Sequence, residues 1–329
     1  MTEVLDVMTL TLNPAVDWTL EVSDLTVGQV NRVGCQSRNP GGKGINVAAR
    51  LAAAGHVTAA TGLLGEANDA LFRDLFATHR IADHCVRVAG ETRTNVKVVD
   101  PQSQTVTDLN QPGLPPSNAA MQALEQVLFE GPVPAWYVLS GSLPPGLDDR
   151  VYADWIPRLQ ARGARVAVDA SGVALSAAVA ARPDLIKPNH HELAELTGQP
   201  TDTPDQCLQQ ARELVRSGIA RVVVSMGADG ALLVTADTAV RVVPGPVQLR
   251  TTVGAGDAMV AGVLKGLLDG GSLAEAGRLG TAFAMCALEQ IGLAVPDAAA
   301  LARYRAGIGV QTLAADRLSP TIHQQQKPA

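Results

Sequence analysis

The chain has 329 residues, of which 47% are hydrophobic and only 3% aromatic, with a formal net charge of −6. That length supports one large α/β domain, or a large domain with a small one, and the negative charge argues against a nucleic-acid or anionic-membrane surface, so any phosphate must be held locally by backbone amides and a few placed cations. Cys35, Cys85, Cys207 and Cys286 share no redox or metal spacing, and neither a leader segment nor a bilayer-length apolar run is evident; the expectation is a cytoplasmic protein with reduced thiols.

In chain order, Val4–Leu12 is an apolar run that reads as a buried strand, stopped by the breaker pair Asn13-Pro14. Asp17–Val33 alternates loosely through Trp18, Leu20 and Val22 and then Val27, Val30 and Val33, and reads as strand with one solvated face. Gly41-Gly42-Lys43-Gly44 opens a helix whose apolar positions are Ile45, Ala48, Leu51 and Ala52. Val57–Leu64 is a strand, and Ala70–His79 a helix with Leu71, Phe72, Leu75 and Phe76 inward. Thr92–Asp100 and Gln104–Leu109 form an antiparallel hairpin that joins the 18–33 strands in a small separate sheet. Beyond Pro116, helices over 117–129, 148–162, 173–182, 190–197 and 204–217 alternate with strands over 135–140, 165–169, 184–187 and 221–225. That order predicts a mainly parallel sheet covered on both faces. Strands 230–235 and 239–243 lead to Thr251–Asp257, a helix over 258–268 and another over 273–289. The polar stretch Leu313–Ala329 is expected to be a disordered tail.

Several segments carry chemistry. In Thr252-Val253-Gly254-Ala255-Gly256-Asp257, the glycines permit a sharp turn and a close ligand. The amides of Ala255, Gly256 and Asp257 then converge at a helix start, where an anion is favoured. A carboxylate beside such a hole suits a base that takes a hydroxyl proton during phosphoryl transfer. Read alone, Asp257 fits an ordinary N-cap equally well. No Walker Lys-Ser/Thr follows the glycines, and no dinucleotide fingerprint follows the first strand. In Gly41-Gly42-Lys43-Gly44-Ile45-Asn46, Lys43 and Asn46 share a helix start and suit a sugar phosphate; a glycine turn with a solvated lysine is the plain alternative. Alternation puts Arg93, Asn95 and Lys97 on one strand face, a cationic strip or a solvated one. Asn189 and Glu192, in Lys187-Pro188-Asn189-His190-His191-Glu192, suit water-held Mg²⁺ or a capping box. Ser225-Met226-Gly227-Ala228-Asp229-Gly230 is a glycine turn after a strand, where open α/β sheets place ligands.

Together and in this order, with Asn13-Pro14-Ala15-Val16-Asp17 and Ser140-Gly141-Ser142-Leu143-Pro144-Pro145-Gly146, these segments resemble the ribokinase-like carbohydrate kinases of the phosphofructokinase-B type, from about Thr9 to about Ala306. Gly28–Arg32, Gly42–Asn46, Thr92–Lys97 and Thr107–Asn110 are most similar to its 1-phosphofructokinase branch. The resemblance implies a ribokinase-like α/β domain of residues 1–12, 39–90 and 110–310, a β-sheet lid of 13–38 and 91–109 that pairs two subunits, and a tail of 311–329. It implies ATP-dependent phosphorylation of D-fructose 1-phosphate at the 6-hydroxyl, with tagatose 6-phosphate or fructose 6-phosphate as alternative substrates and a non-catalytic sugar-phosphate sensor as a further alternative. Asp257 is then the base and Gly254, Ala255 and Gly256 the anion hole. Asp17, Gly41, Gly42, Lys43, Asn46, Arg93, Asn95 and Ser142 hold the phosphosugar. Lys187, Asn189, Ser225, Met226, Gly227, Gly230, Gly254 and Gly256 hold ATP, and Asn189 and Glu192 organise Mg²⁺ through water. Ala258 departs from the Ser or Thr of many relatives.

Overall fold

A computed structural model of the chain describes residues 4–103, 105–290 and 292–313. The chain runs β1 (Val7–Thr11), β2 (Ala15–Glu21), β3 (Cys35–Gly41), α1 (Lys43–Ala53), β4 (Thr58–Gly65), α2 (Ala70–His79), β5 (Ala82–Val88), β6 (Thr94–Asp100) and β7 (Thr105–Asn110). It continues through α3 (Asn118–Glu130), β8 (Trp136–Ser140), α4 (Val151–Ala161), β9 (Arg165–Asp169), α5 (Gly172–Ala180), β10 (Leu185–Ile186), α6 (His190–Thr197), α7 (Pro204–Arg216) and β11 (Arg221–Ser225). The last elements are β12 (Ala231–Val234), β13 (Ala239–Val243), α8 (Ala255–Leu268), α9 (Leu273–Glu289), α10 (Ala298–Gly307) and β14 (Gly309–Leu313).

A 10-stranded sheet has the order β14-β13-β12-β11-β10-β9-β8-β1-β4-β5. From β11 to β5 every pair is parallel, and β12, β13 and β14 add antiparallel pairs at one edge. Alternation along the strands splits the core into two layers. Met8, Leu10, Tyr137, Leu139, Val166, Val168, Val222 and Val224 meet α3, α4, α5 and α7 on one face. Val7, Trp136, Val138, Ala167 and Val223 meet α1, α8 and α9 on the other. Such continuous apolar strands are what a sheet buried on both faces demands. A separate 4-stranded sheet has the order β3-β2-β6-β7, and every crossing to it leaves or enters near the carboxyl ends of β1, β4 and β5.

The expected strand over 17–33 is only partly realised. Pairing ends at Glu21, and Val27 and Val30 are 94% and 89% exposed in a loop. Left-handed Asp24 and Gly28, the Asn31 side chain closing on Thr26, and Asp100 accepting from the amides of Asp24 and Leu25 hold that loop instead. The pairing partner of β2 in this region is β3, Cys35–Gly41. Helix α8 begins at Ala255, earlier than expected, and β5, α10 and β14 were not anticipated. Residues 311–313, placed in the tail, complete β14, while the rest of the expected tail lies outside the described residues. No helix among the described residues is long and apolar enough to cross a membrane.

Candidate active site

Thr11, Ser140, Asp169 and Ser225 end β1, β8, β9 and β11, and Lys187 follows β10 directly. All stand on the carboxyl edge of the parallel sheet, where an open α/β sheet leaves a crevice. The starts of α1, α6 and α8 converge on the same edge.

Helix α1 begins at Gly42, whose φ of 136° and a would-be Cβ only 2.9 Å from Thr11 Cγ2 leave room for glycine alone. From its first turn Lys43 Nζ reaches Asp169 Oδ1 at 3.3 Å. One turn later Asn46 Nδ2 donates to Asp257 Oδ2 at 2.8 Å. Lys187 Nζ stands 3.3 Å from the same Asp169 oxygen. Two ammonium groups thus share one carboxylate that is 1% exposed, and its other oxygen has no hydrogen-bond partner among the described residues. Burial works against ionised Asp169, but the charges of Lys187 and Lys43 prevail and hold its pKa below the ordinary value. Burial likewise opposes the Lys43 charge, yet Asp169, Asp257 and Glu192 raise its pKa above the usual lysine value.

Helix α8 is capped by left-handed Gly254, with φ 76°, so Asp257 is the third helical residue and not the N-cap. The ordinary-cap alternative is therefore ruled out. Its carboxylate is 6% exposed and faces α1 across the crevice. Burial foremost, then the negative charge of Asp169, raise its pKa; the Asn46 hydrogen bond and the charges of Lys43 and Arg50 oppose the rise. The amides of Ala255, Gly256 and Asp257 belong to the first turn, where no helical carbonyl precedes them. Lys187 borders this turn, since a Cβ on Gly256 would lie 3.4 Å from its Nζ. A buried carboxylate with raised basicity, adjoining first-turn amides and two cations, can accept a hydroxyl proton while a transferring phosphoryl group is held.

The small sheet supplies a second wall. Asp17 on β2 pairs in register with Asn39 and Asn95, and Asn95 Nδ2 donates to Asp17 Oδ1 at 3.2 Å. Gly41 lies against the same carboxylate, because a Cβ there would meet Asp17 Oδ2 at 2.3 Å. Burial raises the pKa of Asp17 against the Asn95 bond and the charges of Lys97 and Arg93. Arg93 donates to the main-chain carbonyls of Pro14, Gln111 and Asn13 at 3.3, 2.7 and 3.0 Å, tying together the links between the two sheets. Lys97 pairs with Asp108. The three residues of the expected strip thus each take different partners. Ser142 accepts from Asn13 Nδ2 at 3.2 Å at the crevice mouth.

On the other side, Asn189 caps α6. Its side chain accepts from Glu192 N at 2.8 Å, and Glu192 Oε2 accepts from Asn189 N at 2.8 Å, a complete capping box. Glu192 Oε1 takes no part in that box, so the pair has a carboxylate oxygen of the kind that could hold Mg²⁺ through water. Asn189 also bridges to Ser225. After Ser225, Met226 N donates to Gly230 O at 2.8 Å around a one-turn helix at Gly227–Asp229. The Met226 side chain packs into the core.

Sequence reasoning missed two charged residues here. Asp169 ends an apolar strand at the edge where ligands bind, and that position was its signal. Arg50 sits 2% exposed on the same α1 stripe as Lys43 and Asn46; extending that helical spacing by one more turn would have found it.

The pfkB family carbohydrate kinase profile matches residues 7–299. The chain is 45% identical over 311 residues to a 1-phosphofructokinase of Rhodobacter capsulatus, covering 94% of this chain and 98% of that protein. It is 36% identical over 307 residues to the 1-phosphofructokinase of Escherichia coli K12, covering 93% and 98%. Among solved structures, phosphofructokinase-2 from Escherichia coli in complex with substrates and products superposes with a TM-score of 0.86 at 34% identity, over 92% of this chain and 99% of that one. The chain therefore belongs to the pfkB family of carbohydrate kinases.

Proposed function

We propose that this kinase transfers the γ-phosphate of ATP to the 6-hydroxyl of D-fructose 1-phosphate, giving fructose 1,6-bisphosphate and ADP. The observation that carries the reaction type is the convergence of Asp257, the first-turn amides of α8, Lys43 and Lys187 on one edge of the sheet. Similarity to the 1-phosphofructokinases over most of the chain supports the choice of sugar.

The phosphosugar lies between α1 and the small sheet, with Asp17, Gly41, Gly42, Lys43, Asn46, Asn95 and Ser142 around it and Arg93 toward its phosphate. Asp257 accepts the proton of the attacking hydroxyl. Asn46, which bonds one carboxylate oxygen, leaves the other to do so. The amides of Ala255, Gly256 and Asp257 hold the transferring phosphoryl oxygens, and in-line geometry lets them act on charge as it spreads. ATP runs from this turn toward Ser225, Met226, Gly227 and Gly230, with Lys187 and Asn189 along its phosphates. Asn189 and Glu192 would hold Mg²⁺ through water, where it would supply neutralisation of phosphate charge. The small sheet closes over the sugar to exclude water and pairs with that of a second copy. We place this activity in the cytoplasm.

The test is a side-by-side ADP-release assay with fructose 1-phosphate, tagatose 6-phosphate and fructose 6-phosphate. The highest kcat/KM is expected for fructose 1-phosphate, by at least about tenfold, which is about 1.4 kcal/mol of discrimination. Equal or better use of a 6-phosphate would reassign the substrate, and sugar binding without ADP would leave a sensor.

A further inference from the structure

Helix α1 carries one charged side chain that the reaction outlined above does not use. Arg50 is 2% exposed and ranks with the largest fully buried side chains of the protein. Its donors are sparsely met. Nε donates to Ala294 O at 3.2 Å, and Nη1 to Asn46 O at 3.4 Å, both long for a charged donor. Nη2 faces the glycine turn that caps α8, for a Cβ on Gly254 would stand 3.2 Å from it. A buried guanidinium so loosely paired is a poor device for stability, because desolvation is costly and the bonds that offset it are weak.

Its position explains it better. Lys43, Asn46 and Arg50 form one stripe of α1, and α1 packs directly on α8. Lys43 fronts the crevice, Asn46 touches Asp257, and Arg50 stands behind both. Resting on the assignment of Asp257 as the base, we infer that Arg50 is a positioning residue: its buried charge lies behind the Gly254–Asp257 turn and keeps Asp257 ionised, and so able to accept a proton, while its bond to Asn46 O steadies the side chain that orients the carboxylate.

The other charges facing Asp257 are Lys43 from α1, Asp169 from the end of β9 and Lys187 from the end of β10; Cys286 on α9 lies within electrostatic reach of Arg50. Asp169 pushes toward the protonated acid, and Lys43 and Arg50 push back. Of these two cations Lys43 lies at the substrate and shares its charge with Asp169, so Arg50 is the one whose effect is present with or without ligand.

The experiment compares kcat/KM against pH for wild type, Arg50→Met and Arg50→Lys with fructose 1-phosphate and Mg·ATP. Ionisation of the sugar phosphate is common to all three and cancels in the comparison. Arg50→Met is expected to fold, with a melting temperature within a few degrees of wild type, and to move the acid limb upward by about half a pH unit or more, the direction set by removing a cation near a carboxylate. Arg50→Lys is expected to restore at least half of that shift. An unmoved limb in Arg50→Met overturns the inference, whatever the fall in rate; so does failure of Arg50→Met to fold, which would make the guanidinium a part of the core. Asp257→Asn measured alongside separates the two ideas: retained activity there removes the base itself, whereas its loss with an unmoved Arg50→Met limb removes only the role of Arg50.

Discussion

Asn46 and Asp257, 211 positions apart in the chain, meet side chain to side chain at 2.8 Å, one turn into α1 and in the first turn of α8. This bond joins α1, which we propose faces the sugar, to α8, which we propose holds the transferring group. Both helices pack on one face of the sheet, so Asp257, the proposed base, is set by rigid elements and not by a loop.

The raised pKa of Asp257 has a consequence for stability. The folded state binds a proton there more tightly than the unfolded chain. The stabilisation from this group is complete below its unfolded pKa, near 4, and is lost as pH rises through the raised folded value. At neutral pH the ionised carboxylate is then a net cost. Asp257→Asn is expected to melt at a higher temperature than wild type at about pH 8, with the gap closing toward about pH 4. Thermal melts across that range check the sign.

Asp169 presents the opposite case, a carboxylate shared by Lys43 and Lys187. Asp169→Asn leaves the nearly buried Lys187 ammonium without its counter-charge, which should cost about 3–5 kcal/mol in urea unfolding. The double variant Asp169→Asn with Lys187→Met should recover part of that loss, since the orphaned charge goes too. Equal stability of Asp169→Asn and wild type would contradict the shared pair.

Gly254 caps α8 in the left-handed region, and a side chain there would press toward Arg50. Gly254→Ala is expected to lose about 1–2 kcal/mol of stability. On the proposed anion-binding role of the amides in this turn, kcat should fall by about tenfold or more with sugar KM nearly unchanged. Steady-state kinetics beside a denaturation curve separates the two effects.

Asn189 and Glu192 have a capping role that the structure displays and a metal role that we propose. Asn189→Ala should cost about 1 kcal/mol through the lost cap. Glu192→Gln keeps an oxygen for the Asn189 amide and should melt near wild type, yet require several-fold more Mg²⁺ for half-maximal rate. Removal of Mg²⁺ with EDTA should abolish turnover in both variants and in wild type. An unchanged Mg²⁺ requirement in Glu192→Gln would leave the pair as a cap only.

Much of this architecture was legible because buried parallel strands are short apolar runs and their helices carry apolar stripes. Arg165–Asp169, Arg221–Ser225 and Ala239–Val243 coincide with their expected spans. The edges were not legible for the same reason. Strand β5, Ala-Asp-His-Cys-Val-Arg-Val, lies at the sheet margin, is half-buried and polar, and lacks the run that marks a central strand. Val27, Val30 and Val33 misled in the other direction: spaced like a strand, they stand exposed in a loop closed by Asn31 and Asp100. In the site, the glycines of Thr252–Asp257 pointed to Asp257 from sequence, and the Lys43–Asn46 spacing pointed to a phosphosugar at a separate helix start. Asp169 and Arg50 stayed hidden because their significance is tertiary. One is defined by two lysines from separate elements, the other by a turn two hundred residues away.

The most direct measurement is turnover of Asp257→Asn with fructose 1-phosphate and Mg·ATP, alongside binding of both substrates. With the amide in place of the carboxylate, kcat is expected to fall by about 10²–10⁴-fold while KM for the sugar changes little. A kcat within about tenfold of wild type, less than about 1.4 kcal/mol of barrier, would contradict Asp257 as the base.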